Sequence, residues 1–382
     1  MKKIIRITTV PVSLKVLLKG QLKYMSSFYE ILAVSSSDGD LLMEVEKEEG
    51  VRTYSLKMTR DISPFKDLLA LFNLIRLFRK EKPEIIHSHT PKAGTLSMIA
   101  GKITGVKYRI HTVAGLPLVE ATGCKFKILK FVEKVTYSCA THVWPNSRGL
   151  KDYINKNIYT SSKIKVLGNG SSNGINTDFF SRSEIPEEKA NELYQKLDIK
   201  ENDFVFIFIG RITGDKGINE LIEAFYALII NCTAVKLLLV GNYENEQGTI
   251  NQKTIEFIKK SSNIIECGYQ NDVRPYLYLS NCLIHPSYRE GFPNVVMQAL
   301  AMDIPAIVSN INGCNEIVKN EYNGLIVEPK NDNELERAMT LILSNKSLYQ
   351  KLKNNARNSI VSRYDNKLMW KLIHDEYRTL IG

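Results

Sequence analysis

The sequence predicts an α/β protein of two Rossmann-like, doubly wound domains facing one cleft. Three observations lead there. Short apolar runs alternate with amphipathic helical stretches twice along the chain, the pattern of parallel sheets covered by helices on both faces. A charged, polar stretch over residues 181–203 separates the two sets. At 382 residues the chain is long for one hydrophobic core and comfortable for two. The expected division is a first domain over 1–180, a second over 181–363 and a closing helical segment over 364–382.

In the first half, residues 4–10 read as a strand. Residues 11–24 carry Lys15, Lys19 and Lys23 among Leu14, Val16, Leu17, Leu18 and Leu22. They fit a loop at the end of that strand or an amphipathic helix with its lysines in water. Residues 31–35 form a second strand. The Asp38-Gly39-Asp40 that follows has a spacing able to hold a divalent metal, yet glycine and aspartates beside three serines mark a turn. Leu68, Leu71, Phe72, Ile75 and Phe78 recur at helical steps, and Arg76, Arg79 and Lys80 suit the negative end of a helix dipole. Pro83 stops that helix. A short strand then ends at His87 and His89, which point to one side; with no third metal ligand in view, hydrogen bonding in a cleft is the expected role.

Lys92 and Gly94 lead into a helix over 95–103. Residues 106–113 form a strand with His111 near its end, where doubly wound sheets bind ligands. A ligand contact and a satisfied structural histidine both fit. Residues 123–135 interleave Lys125, Lys127, Lys130 and Lys134 with Phe126, Ile128, Leu129, Phe131 and Val132. Such a helix either lies on anionic lipid, each basic residue contributing about 1 kcal/mol, or covers the core as an ordinary surface helix. Residues 143–147 end one strand and 164–167 form another. Residues 168–176 are rich enough in Gly, Ser and Asn to be loop.

In the second half, FVFIFI over 204–209 is apolar on both faces and therefore a buried strand. Gly210-Arg211-Ile212-Thr213-Gly214-Asp215-Lys216-Gly217 makes a tight turn into a helix with Leu221, Ile222, Phe225 and Leu228 on one face. Arg211 and Lys216 bring two positive charges to its mouth. The turn is not a P-loop, because Lys216 is followed by Gly217 rather than Ser or Thr. Strands over 235–241 and 264–268 flank a helical stretch at 254–260, and residues 273–279 lead to a strand at 282–284.

Ser287-Tyr288-Arg289-Glu290-Gly291 cannot continue that last strand. Pro293 suits a first helical position, and Val295, Val296, Ala299, Leu300 and Met302 follow at helical spacing. Glu290 and Gly291 therefore sit between a strand's carboxyl end and a helix amino end, whose free amides bind phosphate or orient hydroxyls. Gly291 admits a ligand to the backbone, and Gln298 lies one turn from Asn294. A nucleotide sugar, with phosphates at one end and hydroxyls at the other, suits this wall. Strands at 306–310 and 324–327 and helices at 334–343 and 368–380 complete the chain.

Glu290-Gly291-Phe292-Pro293-Asn294-Val295-Val296, followed by Gln298 and Ala299, resembles the paired-glutamate donor motif of retaining glycosyltransferases of family 4, which have the two-domain GT-B fold. Gln298 stands where that family usually has its second glutamate. Gly210 to Gly217 is similar to the family's G-R-x-x-x-x-K-G. The resemblance implies that Arg211 and Lys216 hold the donor diphosphate, Glu290 the sugar hydroxyls and Gln298 the ribose. It also implies that Tyr269 lies near the donor base, that Gly210, Gly291, Phe292, Pro293, Asn294 and Val295 line the donor site, and that His111 reaches the transferred sugar. Lys15, Lys19 and His89 fall where the family meets its acceptor, residues 168–176 resemble a stretched hinge-proximal loop, and the final helix crosses back to the first domain.

The excess of 51 Lys and Arg over 41 Asp and Glu, +10, points to an anionic partner. Six cysteines without a C-x-x-C pair read as reduced residues of a cytosolic protein. The apolar run at the start is broken by Arg6 and no segment approaches the length of a spanning helix, so neither secretion nor insertion is expected. The implied activity is retaining, metal-independent transfer of a hexose or N-acetylhexosamine from a UDP-sugar to a lipid-linked or growing bacterial surface glycan. No cofactor and no nucleic acid are expected, and the place of action is the inner face of the cytoplasmic membrane. Two rivals are a UDP-sugar 2-epimerase of the same fold and a non-catalytic nucleotide- or glycan-binding module.

Overall fold

The computed structural model describes residues 1–37, 39–59, 61, 63–244 and 249–382. Asp38 of the Asp38-Gly39-Asp40 turn lies outside them. The chain divides into two compact units, residues 1–174 with 366–382, and residues 175–365.

The first unit runs β1 (Lys3–Ile7), α1 (Pro11–Leu17), α2 (Gln21–Ser26), β2 (Glu30–Ser35), α3 (Leu41–Glu49), β3 (Arg52–Ser55), α4 (Pro64–Glu81), β4 (Ile85–Ser88), α5 (Pro91–Ile103), β5 (Tyr108–Val113), α6 (Gly123–Cys139), β6 (His142–Pro145) and α7 (Arg148–Asn157). Its six strands are parallel in the order β3-β2-β1-β4-β5-β6. Alternation along β1 sends Ile5 and Ile7 into a core with Leu74 and Phe78 of α4, and Ile4 into the opposite core with Leu14, Leu22 and Trp144.

The second unit runs α8 (Glu187–Lys196), β7 (Phe204–Ile209), α9 (Ile218–Asn231), β8 (Val235–Val240), α10 (Gln252–Lys260), β9 (Ile264–Gly268), α11 (Arg274–Tyr278), β10 (Cys282–His285), α12 (Asn294–Ala301), β11 (Ala306–Ser309), α13 (Cys314–Ile317), β12 (Gly324–Val327), α14 (Asp332–Ser344) and α15 (Lys346–Tyr364). Its parallel sheet has the order β12-β11-β10-β7-β8-β9. Read from the other edge this is the first unit's order again. Val205 and Ile207 face one core while Phe206 and Phe208 face the other, which is why that strand is apolar throughout. The closing helix, α16 (Asn366–Ile381), belongs to the first unit, where Met369, Ile373 and Tyr377 join the core under α1 and α2.

Residues 11–24 form two short helices parted at Gly20, the helical one of the two alternatives their spacing allows, because Leu14, Leu18 and Leu22 each find a core to enter. Three local features differ from the sequence reading. Residues 164–167 form no strand; Ile164 makes a single bridge to Val143, and Leu167 turns into the core. The polar stretch 181–203 contains α8, anchored through Ala190. Pro293 caps α12 from outside, in an extended conformation with φ −74° and ψ 111°, and Asn294 is the first helical residue.

Residues 175–180 belong to the second unit because they are tied to it. The Ile175 amide donates to the Tyr364 carbonyl at 2.8 Å, and Thr177 Oγ1 donates to Asp365 Oδ2 at 2.5 Å.

Candidate functional site

In each sheet the strand order reverses between the first and fourth strands, and at such a switch point the loops part to leave a crevice at the strands' carboxyl ends. In the second unit the reversal falls between β7 and β10. The loops leaving these two strands carry Lys216 and Glu290. Lys216 Nζ lies 2.5 Å from Glu290 Oε1. The loops are braced elsewhere too: the Tyr288 amide donates to the Asp215 carbonyl at 3.0 Å, and Arg289 Nη2 lies 3.2 Å from Asp215 Oδ2. Gly217 makes the approach possible. Its φ is +73°, and a Cβ there would lie 2.2 Å from the Pro286 carbonyl oxygen.

Glu290 accepts a second hydrogen bond on the same oxygen, from His285 Nε2 at 3.1 Å. From the loop after β11, Asn312 Nδ2 donates to the Gly291 carbonyl at 3.2 Å and holds the backbone of this turn. Burial alone would raise the Glu290 carboxyl's pKa; His285 and Lys216 outweigh it and bring the value down to about 2. The carboxylate therefore stays ionised although its side chain is only 16% exposed. Arg211 Nη1 lies 3.2 Å from Glu244 Oε2, and its Nη2 3.8 Å from Asp215 Oδ2. Arg211, Lys216 and Arg289 thus form a cationic mouth around Asp215 and Glu290, suited to a ligand with phosphates beside hydroxyls.

The remaining donor-motif residues lie around this mouth. Gly210 follows the last residue of β7 and leads into Arg211, and Tyr269 follows β9 with 66% of its surface exposed. Phe292 packs edge-on to Tyr364 at 5.3 Å, Val295 is partly buried against the core, and Pro293 is buried. Asn294 and Gln298 sit one turn apart on α12, the first exposed and the second half-buried.

In the first unit, His111 on β5 is buried, with Nδ1 2.8 Å from Ser88 Oγ. A Cβ on Gly94 would come within 2.3 Å of its Cε1, so only glycine lets α5 lie against the ring. Burial pulls its pKa to about 4, against hydrogen bonding to the Ser88 backbone that raises it, and the ring is neutral at neutral pH. The rings of His87 and His89 lie 4.2 Å apart. His87 Nδ1 is 2.5 Å from the Tyr377 hydroxyl and Nε2 2.7 Å from Thr112 Oγ1, while His89 Nε2 accepts from Arg6 Nε at 3.1 Å. Burial holds both histidines well below their ordinary pKa. Lys15 on α1 pairs with Glu44 at 2.7 Å and Glu48 at 3.2 Å on α3. Lys19 is exposed, and its carbonyl accepts from Asn173 Nδ2 at 3.0 Å. Among the described residues no group of three His, Cys, Asp or Glu is placed to hold a metal ion.

The sequence reading gave no role to His285, Asp215, Arg289 or Ser88. The signal for His285 is there in hindsight: a histidine closing an apolar strand, the feature that drew attention to His111.

Two family models match, one described as "Glycosyl transferase 4-like domain" over residues 23–170 and one as "Glycosyl transferases group 1" over 189–359. The chain is 34% identical over 381 residues to the capsular polysaccharide biosynthesis glycosyltransferase CapM of Staphylococcus aureus, covering 100% of this chain and 98% of that one. It is 29% identical to a UDP-Gal:alpha-D-GlcNAc-diphosphoundecaprenol alpha-1,3-galactosyltransferase of Escherichia coli, with 94% of each chain covered. Among solved structures, a glycosyltransferase of Rickettsia africae superposes with a TM-score of 0.79 at 22% identity, over 100% of this chain and 99% of that one. HepE of Anabaena, solved in complex with UDP, superposes with a TM-score of 0.80 at 16% identity, over 99% of this chain and 100% of that one. Two like-ordered parallel sheets, two matching domains and a relative similar along its full length lead to one conclusion: the chain belongs to glycosyltransferase family 4, with the GT-B fold.

Proposed function

We propose that this protein transfers a hexose or N-acetylhexosamine, with retention at the anomeric carbon, from a UDP-sugar to a polyprenyl-diphosphate-linked or growing bacterial surface glycan. The observation that carries the reading is the meeting of Lys216 and Glu290 at 2.5 Å across the two loops of a switch point. The Escherichia coli relative, whose name specifies a UDP-sugar and a diphosphoundecaprenol acceptor, supports the choice of donor and acceptor class.

As the bond from the sugar carbon to the diphosphate breaks, its electron pair leaves with UDP. Arg211, Lys216 and the first amides of α12 meet that growing charge, and so favour the transition state over the ground state. No metal is assigned a part. Glu290 holds sugar hydroxyls, Gln298 the ribose and Tyr269 the base. Neutral His111 offers Nε2 to the sugar without adding charge, and Lys15, Lys19 and His89 serve the acceptor side. The acceptor oxygen bonds to the freed carbon, its proton passes to a diphosphate oxygen, and no protein nucleophile is assigned.

The protein works at the inner face of the cytoplasmic membrane as a peripheral enzyme. No helix among the described residues is long and apolar enough to cross a membrane. Two helices packed against α5 instead expose mixed apolar and basic faces: α4 with Phe65, 91% exposed, beside Leu68, Leu69, Phe72, Lys66 and Arg76, and α6 with Ile128, Phe131, Lys125, Lys127 and Lys134. Such faces bind anionic lipid surfaces.

The test measures UDP release with and without candidate acceptors, after a panel of nucleotide sugars has been screened for thermal stabilisation. Glu290→Ala is expected to cut transfer at least a hundredfold in protein that remains folded. Wild-type activity in that variant would remove the assignment. Conversion of the donor without acceptor would identify an epimerase, and donor binding without release of UDP a binding module.

A further inference from the structure

Glu290 receives two hydrogen bonds on one oxygen. Lys216 Nζ at 2.5 Å and His285 Nε2 at 3.1 Å both meet Oε1, and neither meets Oε2. His285 is the last residue of β10, its ring is buried, and its Nδ1 has no partner among the described residues. These contacts fix the tautomer. A proton on Nδ1 would be a buried donor without an acceptor, which is costly, whereas a proton on Nε2 is used by the carboxylate. His285 is thus a donor held on rigid strand backbone, while Lys216 is a long, charged one on a loop.

We propose that His285 is a positioning residue for transfer: it pins Oε1 of Glu290 so that Oε2 alone is turned to a hydroxyl of the donor sugar. This rests on the reading that Glu290 touches that sugar. The division of labour follows from the donors' chemistry. The Lys216 ammonium is attracted equally to a diphosphate, and when one docks its hydrogen bond to Glu290 is contested. The His285 bond, made by a buried ring on strand backbone, is not. Without it the carboxylate swings on its own side-chain torsions, and displacement of a reacting contact by about 1 Å is enough to cost up to a hundredfold in rate.

The experiment compares His285→Leu, which removes the donor, with His285→Gln, whose amide nitrogen sits close to the place of Nε2. Turnover, KM for the nucleotide sugar and Kd for UDP are measured for both. His285→Leu is expected to lose twenty- to hundredfold in kcat with Kd for UDP, which lacks the sugar, within threefold of wild type. His285→Gln should return to within fivefold of wild type. The acid limb of the kcat/KM profile should move to higher pH in the leucine variant, because Glu290 loses a donor that keeps it ionised. Should the leucine variant fail to fold, His285→Asn replaces it; its amide nitrogen falls short of Glu290, and it should be as impaired. Wild-type turnover in His285→Leu, parallel loss of UDP affinity, or a folded glutamine variant no better than leucine would each overturn the proposal. If Glu290→Ala is inactive while His285→Leu is fully active, only the role of His285 falls; if Glu290→Ala is active, the reading of the whole site falls first.

Discussion

The two sheets have the same strand order and therefore the same switch point, yet they furnish it in opposite ways. Between β7 and β10, Lys216, Arg211 and Arg289 are each within ion-pairing distance of a carboxylate, and Glu290 is kept ionised down to a pH of about 2. Between β1 and β4 stands Arg6, fully buried, which donates to His89 and to the Gln21 amide oxygen rather than to a carboxylate; burial lowers its pKa. Gln21 Nε2 in turn donates to Asn173 Oδ1 at 2.9 Å, and Trp370 Nε1 reaches the same oxygen at 2.6 Å. His87 and His89 are held neutral there, as is His111 on the adjoining strand. One crevice pairs its charges with carboxylates at loop ends; the other holds a single buried guanidinium among neutral histidines and amides. The first kind suits phosphates and the second suits hydroxyls, the division that the proposed transfer asks for.

The sharpest way to break this comparison is to part the loops of the charged crevice without touching a charge. Gly217→Ala places a methyl group 2.2 Å from the Pro286 carbonyl oxygen at a φ of +73°. The loop carrying Glu290 must then move away from Lys216. Transfer is expected to fall a hundredfold or more, with the unfolding midpoint lowered by several degrees. Gly50→Ala has a similar φ, +65°, but nothing within 4 Å; it should cost about 1 kcal/mol of stability and leave transfer unchanged. Equal activity in the two variants would show that the braced loops do not form the site.

The charged crevice was legible in the sequence because its parts are contiguous. Glu290 to Val295 and Gly210 to Gly217 each place glycine, charge and helix start within eight residues, as a strand-to-helix turn at a sheet's end requires. The buried crevice was not. Its contacts join Arg6 to His89, His87 to Tyr377 and Asn173 to Trp370, separations that no local spacing reveals. The long helix α15 also escaped notice, because it buries Ala356 and Ser359 beside Leu352 and Ile360 and so lacks a continuous apolar stripe. Residues 164–167 misled for the converse reason: they have a strand's apolar residues, but beyond one bridge they have no neighbouring strand to pair with.

Two carboxyls sharpen the comparison through pH. Glu290, lowered to about 2, binds fewer protons folded than unfolded between that value and its ordinary 4.5. Its contribution is therefore complete above pH 4.5 and is lost as the pH falls toward 2. Glu133 on α6 is the opposite case. Burial raises it to about 7, with a lowering by Tyr137 too small to offset it. It binds more protons folded than unfolded between pH 4.5 and 7, so stability falls as the pH rises through that window and stays low above it. Glu133→Gln should gain about 2 kcal/mol at pH 8 and nothing at pH 4, a shift of about 4–8 °C in unfolding midpoint at the higher pH. Glu290→Gln should lose stability at pH 6 and match wild type near pH 2. The same sign for both variants at neutral pH would end the contrast between paired and buried charge.

The smallest expected effect concerns the outer faces of the units. On α4 and α6 of the first unit, exposed Leu69 and Phe131 stand among lysines; on α9 of the second, Ile230 is equally exposed, at 66%, with no basic residue in the last turn of its helix. An apolar side chain of this size that enters a lipid surface contributes at most about 1.5–3 kcal/mol, and partial entry gives less. Leu69→Glu and Phe131→Glu should each weaken cosedimentation with phosphatidylglycerol vesicles about tenfold, or about 1.4 kcal/mol. Ile230→Glu should not. Lys127→Gln with Lys134→Gln should weaken binding at low salt and make little difference at high salt, because exposed charges are screened there. Transfer to a short water-soluble acceptor should be unchanged in all of them, since none of these side chains belongs to either crevice. Equal loss in Ile230→Glu would mean that exposed apolar area alone drives the binding, and that the basic helices of the first unit confer no preference for an anionic surface.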